Sequence, residues 1–196
     1  MSKVQLAGNA SGTGIFTIAS PNSNTDRTLT LPDNTGTLVT NTSGSVSQSM
    51  LASGVAGTGP AFLVGSSGGQ TLTAGAWNRI ALNNETYDTA NCFNPSTYRF
   101  TPNVAGYYQV SGNVSILVTT ASDTNILGFY KNGTEFVRGS RGAALASSNI
   151  AVAGSALVYL NGSTDYIELY VFSAAANALE NNPTYSYMSG CLVRAA

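Results

Sequence analysis

The run Thr97-Tyr98-Arg99-Phe100-Thr101-Pro102-Asn103-Val104-Ala105-Gly106-Tyr107-Tyr108-Gln109-Val110 leaves the backbone few choices besides strand, corner and strand. Tyr98 and Phe100 alternate with polar neighbours, which is the period of a half-buried strand. Pro102 has no N–H to give to a ladder, and Gly106 adopts dihedrals closed to other residues, so a turn is expected between them. Beyond it, Tyr108, Val110, Gly112, Val114 and Ile116 fall on one face of a long second strand.

The same grammar continues on both sides. Ala61-Phe62-Leu63-Val64 and Trp77 through Leu82 read as earlier strands, and Ile150 through Leu160 as a later one. Ile126 through Tyr130, Lys131-Asn132-Gly133 and Thr134 through Val137 spell a hairpin, because Asn and Gly both accept positive φ. After the turn Asn161-Gly162-Ser163, Ile167, Leu169 and Val171 alternate with Tyr166, Glu168, Tyr170 and Phe172. Tyr185 through Val193 closes the chain. Short strands, frequent turn residues and no long helix predict an all-β sandwich over residues 61–196.

This zone resembles, in order, the complement-1q/tumour-necrosis-factor-like head. The resemblance rests on Ala61-Phe62, Tyr87-Asp88, the corner segment, Lys131-Asn132-Gly133, Leu157-Val158-Tyr159-Leu160-Asn161-Gly162 and Ser186-Tyr187-Met188-Ser189-Gly190-Cys191-Leu192-Val193. It implies a jelly roll that works as a trimer and serves recognition or assembly. Two departures discourage transfer of a family ligand site: no acid follows Gly162, and Cys191 stands where an aromatic is usual. The sequence also lacks a collagen-like Gly-X-Y stalk.

Residues 1–40 carry short alternating runs, too few large apolar groups for an independent core. Leu6-Ala7-Gly8-Asn9-Ala10-Ser11-Gly12-Thr13-Gly14, followed by Arg27-Thr28-Leu29-Thr30-Leu31-Pro32-Asp33-Asn34-Thr35-Gly36-Thr37-Leu38, is similar to amino-terminal segments of tailed-bacteriophage fibre and appendage proteins. The resemblance implies a virion-attachment arm that docks on capsid or tail proteins through Leu6, Ile15, Phe16, Ile18, Leu29, Leu31 and Leu38; the alternative is a generic β-rich arm. Residues 41–60 read as a linker of Ser, Gly and Thr, with Val46, Met50 and Leu51 at the spacing of one short helix.

Composition narrows the function. Charged residues are 9% of the 196, against about a quarter in an average globular protein, while 43% are hydrophobic. Such a surface suits a chain that hides much of itself in an assembly. With Lys+Arg 8 against Asp+Glu 9 and no basic run, nucleic acid is not an expected partner. No apolar run approaches the ~20 residues of a membrane span, so membrane insertion is not expected. The first residues lack the apolar core of a secretory signal, which predicts synthesis in a host cytoplasm.

Catalysis finds little material. The chain has no histidine, which removes His-activated nucleophiles and the commonest zinc ligand. The nine acids are scattered, and Asp165 and Glu168 have opposite parity along a strand, so no carboxylate pair for glycoside hydrolysis is visible. No catalytic residue, metal site or cofactor is expected. For Cys92 and Cys191, two small buried apolar side chains are the preferred reading and a disulfide the alternative.

Tyr166, Tyr170 and Phe172 share a face that the inward Ile167, Leu169 and Val171 leave out of the core. The resemblance places that stripe, with Tyr108, at the trimer interface; sugar stacking is the other reading. Lys131 and Asn132 in the hairpin, and Asn177, Asn181 and Asn182 in the loop over residues 173–183, are candidate receptor contacts. The sequence therefore reads as a homotrimeric structural protein on the surface of a bacteriophage virion, a capsid decoration (head fibre or cement protein) or short tail fibre. The alternatives are an adhesin for a host surface glycan or protein, and a secreted ligand of the tumour-necrosis type.

Overall fold

The computed structural model describes residues 11–15, 17, 22–26, 28, 59–119, 123–145 and 147–196. The chain divides into two compact units, residues 1–40 and 41–196. In the first, Ile15 is exposed. Leu6, Phe16, Ile18, Leu29, Leu31 and Leu38 of the expected docking set lie outside the described residues, as do Val46, Met50 and Leu51 of the linker.

In the second unit, among the described residues, there are strands and no helix. They are β1 (Ala61–Gly65), β2 (Ala76–Arg79), β3 (Asn84–Asp88), β4 (Phe93–Asn94), β5 (Arg99–Phe100), β6 (Ala105–Val118), β7 (Asn125–Lys131), β8 (Thr134–Gly142), β9 (Ser148–Asn161), β10 (Ile167–Ser173), β11 (Ala178–Leu179) and β12 (Tyr187–Ala195). They form two antiparallel sheets. In the first, β6 pairs with β9 along one side and with β12 and β11 along the other, and β1 and β3 follow β12. In the second, β10 lies between β7 and the shorter β2 and β5, with β8 outside β7 and β4 outside β5.

The inward face of β6 is the expected one: Tyr108, Val110, Val114 and Ile116 are fully buried. Across the gap, Ile167, Leu169 and Val171 of β10 are buried as the alternation requires. Aromatic rings join the layers at one end. Phe62 of β1 stacks on Phe100 of β5 at 4.1 Å, and Tyr108 meets Phe100 edge-on at 5.5 Å. Each such buried ring contributes about 2 kcal/mol by area alone.

The corner differs from its sequence reading. Tyr98 sits at φ 57°, outside the strand, because Asn94 Oδ1 accepts N–H bonds from Ser96 at 2.9 Å and Thr97 at 3.1 Å and closes a turn. Gly106 already lies inside β6; a Cβ there would stand 2.4 Å from the Arg194 carbonyl oxygen, so closeness to β12, not a special dihedral, accounts for glycine. Asn132 and Gly133 do take positive φ, 53° and 77°, in the tight hairpin between β7 and β8.

Along one side the sheets meet edge to edge. A Cβ on Gly154 of β9 would lie 2.7 Å from Gly139 Cα of β8, and Ala153 N–H donates to Ser140 Oγ at 2.8 Å. This contact covers two strand edges that would otherwise invite pairing with other chains. Gly154→Val is expected to push the edges apart and lower unfolding free energy by roughly 2 kcal/mol, measured by urea denaturation at fixed protein concentration; an unchanged midpoint would mean that the edges do not meet there.

Candidate functional site

The outer faces of the two sheets are built on different principles. On the first sheet, outward positions of β6 and β9 face each other across the ladder: Tyr107 opposite Tyr159, Gln109 opposite Leu157. Tyr107 and Tyr159 meet edge-on at 5.5 Å. Tyr107 is 43% exposed, Leu157 55%, Tyr159 40% and Val193 of β12 48%. With the chain's last residues they line an open cup of about 490 Å³. Farther along β9 the outward residues shrink to Ser155, Ala153 and Ala151. Large apolar side chains open to water on one flat face call for a partner.

The second sheet's outer face closes on itself. Tyr130 and Tyr170 stack at 4.0 Å, and Trp77 meets Tyr130 and Phe172 edge-on at 5.6 and 5.8 Å. Three guanidiniums cover rings: Arg138 over Trp77 at 5.3 Å, Arg79 over Tyr98 at 5.4 Å and Arg99 over Tyr166 at 4.0 Å. Arg138 is held by Glu135, through Nε to Oε1 at 2.8 Å and Nη2 to Oε2 at 3.0 Å. Beneath the lattice Glu168, 1% exposed, accepts from Arg79 and Arg99. Burial, helped by nearby Glu135, pushes the Tyr130 hydroxyl up to about 12.

The residues singled out by the sequence are therefore redistributed. Tyr166, Tyr170 and Phe172 do share an outer face, but each is half-buried against neighbours of its own chain. Tyr108 is corrected outright: it is 0% exposed, its hydroxyl donates to the Val104 carbonyl at 2.7 Å, and it has no surface to offer another chain. Asn177 is likewise corrected. It is buried, its Oδ1 accepts the Thr119 N–H at 2.9 Å, and its Nδ2 donates to Asp123 Oδ2 and, at 2.9 Å, to Ser173 Oγ. Asn181 is exposed and caps Gly68 N–H at 2.7 Å, and Asn182 Oδ1 accepts from Thr184 Oγ1 at 2.7 Å.

Lys131 and Asn132 are bound within the chain. Lys131 Nζ lies 2.9 Å from Asp165 Oδ2 and donates to the Tyr159 carbonyl at 2.7 Å, while Asn132 Nδ2 donates to Asp165 Oδ1 at 2.8 Å. Together they fasten the β7–β8 hairpin to the turn after β9.

Cys92 and Cys191 are both free thiols; Cys92 is buried as expected, and burial raises its pKa, but Cys191 is exposed. Its parity on β12 places it on the outer face opposite Gln109 of β6, which is why it escapes the core. Sequence reasoning missed Tyr107, Leu157 and Val193. Their signal was parity: each lies out of phase with the buried set of its own strand. It also missed the arginine cluster, because Arg79, Arg99 and Arg138 converge from three strands. Among the described residues, no three His, Cys, Asp or Glu side chains gather as a metal site, and no helix is long and apolar enough to cross a membrane.

No protein-family model matches the chain, and no curated protein matches it. Solved structures do. The globular domain of zebrafish complement 1qA protein matches at TM-score 0.54 and 17% identity, over 70% of this chain and 100% of that one. Murine APRIL at pH 5.0 matches at 0.53 and 10% identity, over 68% and 98%. Eiger TNF from S. frugiperda matches at 0.52 and 13% identity, over 70% and 92%. At these identities the likeness establishes the fold: a complement-1q/TNF-like jelly roll.

The hairpin fastening has a pH signature. Hydrogen bonding from Asn132, then from Lys131, holds the Asp165 carboxyl below its ordinary value. A depressed folded-state pKa stabilises the fold above the unfolded value of about 3.9 and is lost as pH falls through the lower, folded value. Asp165→Asn is expected to lower the melting temperature at neutral pH and to flatten its decline below about pH 3.9. A variant that loses stability on acidification as steeply as the parent would assign the acid response to other carboxylates.

Proposed function

We propose that this chain is a homotrimeric structural protein of a bacteriophage virion, whose residues 1–40 attach to the particle and whose jelly-roll head projects from it as a capsid decoration or short tail fibre. The observation that carries the assembly is the open apolar face of the first sheet, with Tyr107, Leu157, Tyr159 and Val193 exposed. Its occupant is the same face region of two further copies, arranged around a three-fold axis. Three things support a self-partner. Leu157 and Tyr159 stand at one end of β9 with Ser155, Ala153 and Ala151 beyond, so nothing bulky on that strand holds a second copy away, and Leu117 adds an exposed apolar group at the far end of β6. The face carries few charges to desolvate, Arg194 being the one beside the cup. On the second sheet Trp77, Tyr130, Tyr170 and Phe172 cover one another, and Phe136 of β8 is the aromatic that stays open to water.

The particle assignment draws on the arm. Its Leu6–Gly14 and Arg27–Leu38 segments resemble phage fibre and appendage amino termini, and an arm with so little apolar volume cannot build an independent core and calls for a partner. The low charge content fits a chain whose surfaces are consumed by assembly.

By light scattering after size exclusion, the full chain is expected at three times its 20.1 kDa mass, and Leu157→Asp with Tyr159→Asp is expected to shift it to the monomer. A parent protein that is monomeric at micromolar concentration would overturn the trimer. Antibody raised against residues 61–196 is expected to decorate intact particles in negative stain, over the capsid for a decoration protein or at the tail for a fibre. Particles left bare would overturn the virion role.

A further inference from the structure

The second sheet's outer face contains a charge arrangement that trimer assembly leaves unused. Arg79 of β2 and Arg99 of β5 reach the same atom, Oε1 of Glu168, at 3.1 and 3.0 Å. Two cations thus share one buried carboxylate, and the cluster keeps an excess positive charge. Arg79 spends Nη1 on that contact and Arg99 spends Nε. Among the described residues no hydrogen bond takes the remaining guanidinium nitrogens of either. Their side chains are 37% and 35% exposed, so those donors are open to solvent.

The forks are also held in place. Arg99 stacks on Tyr166 at 4.0 Å and Arg79 on Tyr98 at 5.4 Å, while Glu168 pins both from beneath. The bond to Glu168 raises the Arg99 pKa, so its charge is permanent. A guanidinium fixed by a ring and a carboxylate has little freedom left to lose on binding, and its planar donors match a two-oxygen anion. Around the pair, no hydrogen bond among the described residues takes the hydroxyls of Tyr98, Tyr166 or Tyr170. Those hydroxyls donate and accept, as sugar hydroxyls do. Glu168 Oε2 is buried and, among the described residues, accepts no hydrogen bond, so the anchor engages each guanidinium through one oxygen and leaves the rest of both forks free.

The geometry points to Arg79 and Arg99, framed by Tyr98, Tyr166 and Tyr170, as a binding site for a saccharide that carries a carboxylate. The carboxylate pairs with the free guanidinium N–H groups, and ring hydroxyls bond the tyrosines. Tyr130 and Tyr170 stack on each other and so cover one face of each ring, which leaves charge and hydroxyl pairing as the main selectors. This site goes beyond the assembly reading and does not rest on it: it lies on the sheet opposite the proposed trimer face, and a monomer would bind as well at each site as a trimer.

The test is calorimetric titration of the full chain at low ionic strength with trigalacturonate, with maltotriose as the neutral sugar and with inorganic phosphate as the plain anion. Trigalacturonate is expected to bind, maltotriose not, and phosphate more weakly than trigalacturonate. Arg79→Lys and Arg99→Lys keep a cation beside Glu168, so the fold is retained, but each is expected to weaken trigalacturonate about tenfold by losing the fork. Tyr166→Phe, which removes only a hydroxyl, is expected to weaken trigalacturonate and leave phosphate unchanged. A role confined to stability would move the melting temperature and not these affinities. The assignment is overturned by absent trigalacturonate binding, by equal affinity for maltotriose, by phosphate binding as tightly as the sugar acid, or by indifference to both lysine variants. The oligomeric state, read separately, stands or falls on the other sheet.

Discussion

β6 pairs along its whole length of 14 residues with β9 on one side and is shared by β12 and β11 on the other. Its pleat therefore fixes the facing of most of the first sheet. Once Tyr108, Val110, Val114 and Ile116 point inward, Tyr107 points outward, and the pairing carries that parity to Tyr159 and Leu157. A slip of one residue would bury Gln109, Ser111 and Asn113 and expose the core set, so register is set by burial energy rather than by local turns. The open apolar face is the unavoidable other side of the same pleat.

The two outer faces solve the same problem in different ways. On the second sheet, alternating aromatics from β2, β7 and β10 lie close enough to cover one another, and arginines close the lattice from above. That solution uses three of the chain's eight cations on one surface. On the first sheet, among the described residues, the cover is thinner: the Tyr107–Tyr159 pair is edge-on, Leu157 is exposed, and Lys131 alone brings a cation over a ring, that of Tyr159. A head with so few charges covers one outer face and leaves large apolar side chains open on the other, which is the face the proposed trimer would bury.

Legibility in the sequence follows the range of the interactions. The Lys131-Asn132-Gly133 hairpin and the inward Ile167, Leu169 and Val171 depend on neighbours in the chain, and they stand where the sequence puts them. Tyr108 is misplaced by sequence reasoning although its strand and face are legible, because a tyrosine suggests a surface until the Val104 carbonyl that satisfies its hydroxyl is known. Asn177 looks like a loop tip in an Ala-rich stretch, yet it is buried and hydrogen-bonded to Thr119 and Asp123, from a distant part of the chain, and to the nearby Ser173. Alternation with Phe100 draws Tyr98 into a strand, while the Asn94 side chain has already turned the backbone. The aromatic stripe of β10 is visible in the sequence; that Tyr130 and Trp77 cover it is not, since both arrive through cross-strand register.

Burial of Glu168 explains why the guanidiniums sit where they do. A lone carboxylate at 1% exposure is costly to ionise, and a pair with one cation repays part of that cost. Two cations on a single oxygen go further than neutralisation requires, and each remains about one-third exposed. A purely structural clamp would be served by one bidentate arginine, the arrangement that Arg138 and Glu135 adopt on the same face. The contrast between these two pairings, one closed and one holding donors in reserve, is what separates the structural part of the lattice from the part fitted to meet an anion. In the proposed trimer, burial of the first sheet leaves all three such surfaces turned outward, so weak contacts at each would act together through their high effective concentration.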